Sequence, residues 1–214
     1  LVEVHSSFLH SSDYDPAKTI NWKRQARYCG EAGVMNDLGL HAWHVPLRLG
    51  WQPSRVYAVL QNLIEQRPDA SGASVVCDTI ENAMVVGTAG SGADEFPVIV
   101  ETKRIDPGQS NTWRLRVVGL DGAVEFSTAE PKTLRTLHRP GTDGAPAGSD
   151  QVWQSRQVGS QSIWPTVTGG IFEFGFSDAI LQMWAAFLAE RAGQLGDRFG
   201  CVTPREAAAT PRIY

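Results

Sequence analysis

The sequence predicts an α+β fold, a largely antiparallel β-sheet with helices packed on one face. Three observations lead there. A helical pattern lies near the start, about five strand-like segments follow in succession, and the strongest helix comes late.

Leu1 to His10 reads as a strand, with Val2, Val4 and Phe8 among polar neighbours. Ser11 to Trp22 is polar and irregular. Gly30 to Gly50 reads as a helix, because Val34, Leu38, Val45 and Leu49 recur at spacings of three, four and seven. Pro46 predicts that this helix ends or kinks near Trp43 or His44. Ser54 to Ile64 is a strand, and Gln66 to Ser74, with Pro, Asp, Ser and Gly, is a loop.

Strands are then expected at Asn82–Gly87, Phe96–Ile105, Thr112–Val118, Ala123–Ser127 and Thr133–His138, with Gly- and Pro-bearing loops between them. Leu120-Asp121-Gly122 is a hairpin signal. Pro140 to Asp150 is rich in Gly, Ala and Pro and reads as a loop, with a further strand at Gln151–Val158. Ser177 to Ala192 is the strongest helix. Ser177 or Asp178 can cap it, and Ile180, Leu181, Trp184, Phe187 and Leu188 form its apolar stripe. No internal repeat is visible.

Composition narrows the class. With 214 residues, 42% of them hydrophobic and 20% charged, the chain has enough apolar material for a core, which excludes wholesale disorder. The net charge of −4, from 19 basic and 23 acidic residues, argues against nucleic acid or an anionic membrane surface as partner. No apolar run reaches the length of a membrane span, roughly 18 residues. Cys29, Cys77 and Cys201 are far apart and odd in number, which argues against a disulfide scaffold and predicts a reducing, cytoplasmic setting. The chain begins at Leu1 inside an apolar–polar alternation, as if cut from a longer protein.

The sharpest constellation is Asp37-Leu-Gly-Leu-His41-Ala-Trp-His44. Helical offsets of four and seven residues keep Asp37, His41 and His44 on one side. A carboxylate one turn from an imidazole can orient it and stabilise its protonated form, as a general base for an alcohol proton requires. The same residues also read as a capping Asp with two partly exposed histidines, or as metal ligands, although no other His/Asp/Glu cluster accompanies them. Gly33 and Gly39 bracket Asp37, pointing either to close approach of a ligand or backbone, or to a helix start and a packing contact.

Asn21-Trp22-Lys23-Arg24, just before this helix, sets an aromatic beside two cations. That suits a polyol or sugar, or else a solvated basic turn. Gly87-Thr-Ala-Gly90-Ser-Gly92 lacks the third glycine of a dinucleotide fingerprint and reads as a hairpin loop. No nucleotide-phosphate cradle is visible. Phe172-Glu-Phe-Gly-Phe176 reads as core packing.

Gly33-Val-Met-Asn-Asp37-Leu-Gly39-Leu-His41 resembles the Gly-x-x-x-Asp-x-Gly-x-His helix of the glucose–fructose oxidoreductase/inositol dehydrogenase family (Gfo/Idh/MocA). Gly50-Trp-x-Pro53-x-x-Val56-x-Ala58 resembles that family's turn into its next strand. Gln182-Met-Trp-Ala-Ala-Phe187 and Cys201-Val-Thr-Pro204-Arg-Glu206-Ala resemble its closing segments. The likeness covers only the family's C-terminal half and implies a mixed sheet with helices on one face. It also implies a chain, residues 1–214, that binds substrate and assembles, while an absent N-terminal Rossmann domain holds NAD or NADP and supplies a catalytic Lys.

On this resemblance His41 moves the hydroxyl proton and Asp37 assists it, orienting His41 and binding a substrate hydroxyl. His44 stands where the family usually has Asp. With Lys23, Arg24 and Trp22 it is expected to contact a sugar- or cyclitol-like substrate. No metal site and no cofactor-binding residue is assigned to this chain. Strands such as Phe96–Ile105 and Thr112–Val118 carry apolar residues taken to lie on both faces (Val98 and Ile99, Leu115 and Val117). The expectation is therefore a homo-oligomer formed through the open face of the sheet. The alternatives are a non-catalytic sugar-binding or assembly module of the same fold, and a metal-dependent hydrolase or lyase using Asp37, His41 and His44.

Overall fold

The computed structural model describes residues 1–139, 151–158, 162–167 and 174–213. The chain divides into two compact units, Leu1–Leu120 with Pro204–Tyr214, and Asp121–Thr203.

The first unit holds seven strands: β1 (Glu3–Leu9), β2 (Arg55–Gln61), β3 (Gln66–Pro68), β4 (Ser74–Val76), β5 (Asn82–Ala89), β6 (Phe96–Lys103) and β7 (Thr112–Val118). Five of them form a sheet in the order β2-β5-β6-β1-β7. β1 runs parallel to β6, and the other neighbours are antiparallel, so the sheet is mixed and largely antiparallel. The expected loop at Gln66–Ser74 contains instead the hairpin β3–β4. Its Asp69 carboxylate accepts the N–H groups of Ser71 and Ala73, so the loop-forming residues make the tip while strands of three residues flank it.

Alternation assigns the faces. Val4 and Ser6 of β1, Ala83, Val85 and Ala89 of β5, and Val98, Val100 and Thr102 of β6 are buried under the helical layer. That layer is more broken than the expected helix over Gly30–Gly50. It comprises α1 (Ala26–Cys29), a π-helical turn at Met35–Gly39, and α2 (Leu40–Arg48). Gly30 leaves α1 at φ 76°. Gly33, at φ 40°, passes so close to the neighbouring chain that a Cβ there would lie 2.5 Å from the Ile80 carbonyl oxygen. The close approach is therefore to backbone. Val34, Met35, Leu38, Ala42 and Trp43 then enter the core.

Pro46 does not end α2, which continues to Arg48. Proline removes the N–H that would bond the carbonyl four residues back, here Ala42. That carbonyl accepts the buried Ser6 Oγ–H at 2.7 Å, so β1 satisfies the group that proline orphans.

The chain returns to this unit at α4 (Pro204–Ala209), tied to α2 by a bidentate pair of Arg48 with Glu206 at 2.6 and 3.1 Å. Ile213 closes the core. In the second unit β8 (Gly122–Ser127), β9 (Thr133–His138) and β10 (Gln154–Gln157) form an antiparallel meander. Here α3 (Phe176–Arg191) begins one residue earlier than expected and is capped by Gly175 rather than Ser177 or Asp178, with the Gly175 N–H donating to Asp178 at 2.8 Å. Its stripe Ile180, Leu181, Trp184, Phe187 and Leu188 is exposed, and Ala186 and Ala189 are the buried residues. The expected loop Pro140–Asp150 and the first two residues of Phe172–Phe176 lie outside the described residues. Among the described residues no helix is long and apolar enough to cross a membrane.

The open face of the first sheet has two characters. Tyr57, Val59, Met84, Val86 and Ile99 share it on the β2–β5–β6 side. Leu115 and Val117 were expected to represent both faces of β7. They pair with Ser6 and Val4 and so both lie under the helices, while Arg114 and Arg116 occupy the open side.

Candidate functional site

Two core registers end in charge. The helix-facing alternation of β6 runs Phe96, Val98, Val100, Thr102 and then Arg104, and that of β5 runs back from Val85 and Ala83 to Glu81. All of these side chains are buried. Buried charges persist only when paired, and each finds partners in the segments joining β1 to α2. Arg104 Nη2 donates to Asp37 Oδ2 at 2.7 Å, and its Nη1 lies 3.9 Å from Asp13 Oδ2. Asp13 accepts from Lys18 Nζ at 2.9 Å and lies 4.0 Å from Arg24 Nε. Arg24 Nη2 lies 2.7 Å from Glu81 Oε1, while Glu81 Oε2 accepts the N–H groups of Leu63 and Ile64 at 2.6 and 2.8 Å. Arg67 lies 3.9 Å from Glu81 and donates to the carbonyls of Asp13 and Asp15.

Asp37 occupies the π-helical turn before α2. Its carboxylate receives Lys23 Nζ on both oxygens, at 3.0 and 2.9 Å, as well as Arg104. No hydrogen bond joins Asp37 to His41. The expected orienting contact is absent because the two cations take the carboxylate, and Asp37 acts on the imidazole through space.

His41 stacks on Phe8 with ring centroids 5.0 Å apart and planes at 28°. Its carbonyl accepts the Trp113 indole N–H at 2.9 Å, which fixes this turn of α2 to β7. The residue is accessible overall, yet its ring lies against the sheet. Burial lowers its pKa below the ordinary histidine range, while the Asp37 charge works in the opposite direction. His44 is half-buried one turn further on.

The segment before α1 divides the remaining expected residues. Lys23 Nζ lies 5.5 Å from the centre of the exposed Trp22 ring and bridges it to Asp37. Arg24, expected to meet substrate with Lys23, is fully buried against Glu81 and ties the loops together instead.

Trp22, Lys23 and Arg104 line a cavity of about 330 Å³ together with His10, Asp13 and Lys18. His10 continues the helix-facing register of β1 by one step beyond Phe8. Its pKa is lowered by burial and by the Arg104 charge. Burial pushes the Asp13 carboxyl up, but the Lys18 hydrogen bond and the Lys18, Arg104 and Arg24 charges outweigh it, and the net shift is downward. Sequence reasoning missed His10, Asp13, Lys18, Glu81 and Arg104. The signal for Glu81 and Arg104 was a charged residue standing in an otherwise apolar alternation. Among the described residues no three His, Cys, Asp or Glu side chains converge as a metal-binding set.

No protein-family model matches this sequence, and no curated protein is significantly similar to it. Solved structures are similar in fold. Levoglucosan dehydrogenase, solved in complex with NADH and levoglucosan, superposes with a TM-score of 0.77 at 19% identity, over 99% of this chain and 55% of its own. An NAD binding oxidoreductase from Klebsiella pneumoniae gives 0.76 at 20%, over 99% and 54%. An inositol dehydrogenase homolog from Azotobacter vinelandii, complexed with NAD+, gives 0.70 at 18%, over 99% and 54%. The chain thus spans about half the length of these oxidoreductases and has the fold of that half.

Proposed function

We propose that this chain is the substrate-binding half of an NAD(P)-dependent oxidoreductase acting on a sugar- or cyclitol-like hydroxyl or carbonyl carbon, with His41 as the proton acceptor. The observation that supports this reading most directly is the state of His41. The ring lies against Phe8, and burial lowers its pKa, so the imidazole is neutral at neutral pH, the form able to accept a hydroxyl proton. In the oxidising direction the O–H proton passes to the His41 ring as the carbinol C–H leaves as hydride and C=O forms. Asp37 holds the imidazole pKa from falling further and keeps Lys23 and Arg104 in place.

The nicotinamide supplies the hydride acceptor when bound. In the stretch Gly87–Gly92, Gly87 to Ala89 complete β5, and Gly90, at φ 89°, opens the turn to β6, with only a three-residue 3₁₀ turn, Gly92–Asp94, beyond it. We assign the dinucleotide to a separate N-terminal domain. Trp22, Lys23 and His44 meet the substrate, copies of the chain assemble through the open face of the sheet, and the enzyme works in a reducing compartment, the cytoplasm.

The test is hydride transfer to NAD+ and NADP+ by the product of the full coding sequence, across a panel of sugars and cyclitols. His41→Ala is expected to lower kcat by about 10²–10⁴-fold. His44→Ala is expected mainly to raise KM, the sign of lost uniform binding. Absence of turnover on every polyol overturns the reading. Equal kcat losses in both variants, with stoichiometric metal in the wild type, overturn it in favour of a metal site.

A further inference from the structure

We propose that the cavity beside Asp37 is a carboxylate subsite, so that the substrate is an acidic sugar such as a uronate or aldonate. This rests on the polyol reading above and narrows it.

The charge count around the cavity carries the inference. Lys18, Lys23 and Arg104 line it or reach it, against the carboxylates of Asp13 and Asp37. One positive charge is left over. The pairs behind it do not remove the excess, since Arg24 and Arg67 share Glu81. Five cations are thus joined to three carboxylates in one connected network. The Arg24, Arg67 and Arg104 side chains are at most 2% exposed, and the Arg104 Nε has no protein partner. A buried excess of cation is costly unless an anion completes it.

The donors are also suitably placed. Lys18 and Lys23 remain 39% and 35% exposed at the cavity. Each ammonium has three N–H groups. Lys18 uses two, on Ser12 and Asp13, and Lys23 hydrogen-bonds the two oxygens of Asp37. Each therefore retains donor capacity. His10 Nδ1 accepts the Ser12 N–H at 3.2 Å, which leaves Nε2 to carry the ring proton as a donor. Asp13 also lines the cavity, but Lys18, Arg104 and Arg24 surround its carboxylate and offset its repulsion. Trp22 offers an exposed ring beside these donors for the face of a sugar.

Charge chooses between the two common sugar acids. One surplus positive charge at the wall matches a monoanionic carboxylate. A phosphate monoester carries nearly two negative charges. The second surplus charge lies behind the wall, on the buried arginines.

The experiment is calorimetric titration of this chain with D-galacturonate, D-glucuronate and D-gluconate, with the neutral D-galactose and D-glucose, and with D-galactose 6-phosphate, at low and high salt. At least one of the acids is expected to bind about tenfold more tightly than its neutral parent, as one charge-assisted contact provides. The advantage should shrink at high salt. Lys18→Gln should abolish it, and Lys18→Arg should keep it. Neutral sugars binding as well as the acids overturn the subsite while leaving the polyol reading intact. Tighter binding of the phosphate, or no binding of any acid, also overturns it. Intact acid binding with no hydride transfer in the full-length protein instead sinks the functional reading and leaves the subsite standing.

Discussion

Arg104 Nη2 meets Asp37 Oδ2 at 2.7 Å, on a carboxylate whose two oxygens also receive Lys23. This arrangement changes what Asp37 can do. It has no hydrogen bond to give the imidazole one turn away, and its influence on His41 is that of a fixed charge. Two cations partly neutralise that charge, and Lys23 itself pushes the His41 pKa down. Burial therefore decides the direction of the shift, and the carboxylate limits it.

The pH dependence follows from those signs. A base with a lowered pKa stays neutral to more acidic pH, so the acidic limb of kcat/KM should fall below the ordinary histidine value of about 6.5. Asp37→Asn removes the group that opposes the shift, and the limb should move further toward acid as kcat drops. Profiles of wild type and variant on the full-length protein test this, and a limb that moves toward alkaline pH would contradict it.

Glu81 is the hinge of the buried ion network, with Arg24 and two main-chain N–H groups on its carboxylate. Glu81→Ala leaves buried Arg24 with Asp13 alone, 4.0 Å away, and buried Arg67 with main-chain carbonyls and no carboxylate. Losing one partner of a buried pair costs about 3–5 kcal/mol. Urea denaturation should show a loss of that size. A change under 1 kcal/mol, roughly the value of a surface pair, would mean that water reaches the network.

Gly33 and Gly39 share a motif but not a reason. At Gly33 the positive φ and the Ile80 carbonyl both reject a side chain, so Gly33→Ala should cost about 2–4 kcal/mol. At Gly39 the backbone is helical, and a Cβ would make ordinary contact at 3.4 Å with Met35. Gly39→Ala should be neutral or stabilising by up to about 1 kcal/mol. Thermal melts of the two variants should separate them, and equal shifts would refute the distinction.

Ser6→Ala removes the donor that serves the Ala42 carbonyl and should cost about 1–2 kcal/mol. The decisive measurement is the double-mutant cycle with Pro46→Ala. Alanine restores an N–H to position 46, so the Ser6→Ala penalty should shrink in that background. Additive effects would show that the hydroxyl and the proline act independently.

Long periodic segments were legible in the sequence. Thr112–Val118 and Thr133–His138 form strands with those bounds, because alternation over six or seven residues has few competing readings. The β3–β4 hairpin was not legible, since three-residue strands carry no measurable period and their turn residues dominate. Nor was the π-helical turn, because spacings of three, four and seven also suit an unbroken α-helix. At the site, Asp37 and His41 stand out by their spacing alone. Their partners come from Asp13, Lys18 and Arg104, distant in sequence, and only the pairing of strands and the return of the loops bring them together.

The open face of the first sheet is expected to be an assembly surface. Tyr57 is 71% exposed, Val59 45%, Met84 38% and Val86 39%, and register places them as neighbours on β2 and β5. Across the same face the surface turns polar, with His5 on Glu101 at 3.1 Å and Arg116 beside Glu3. A contiguous apolar area bordered by charge is the pattern of a protein–protein contact, and two copies related by a two-fold axis would bury it against itself. The chain is therefore expected to self-associate at micromolar concentration. Val86→Lys should shift it toward monomer, since one cation in a desolvated apolar contact costs more than the contact returns. Its thermal stability should change little, because the side chain already faces solvent within one copy. Light scattering and melting curves on both proteins decide the matter: a wild-type monomer, or a variant that assembles equally well, would remove this face from the assembly.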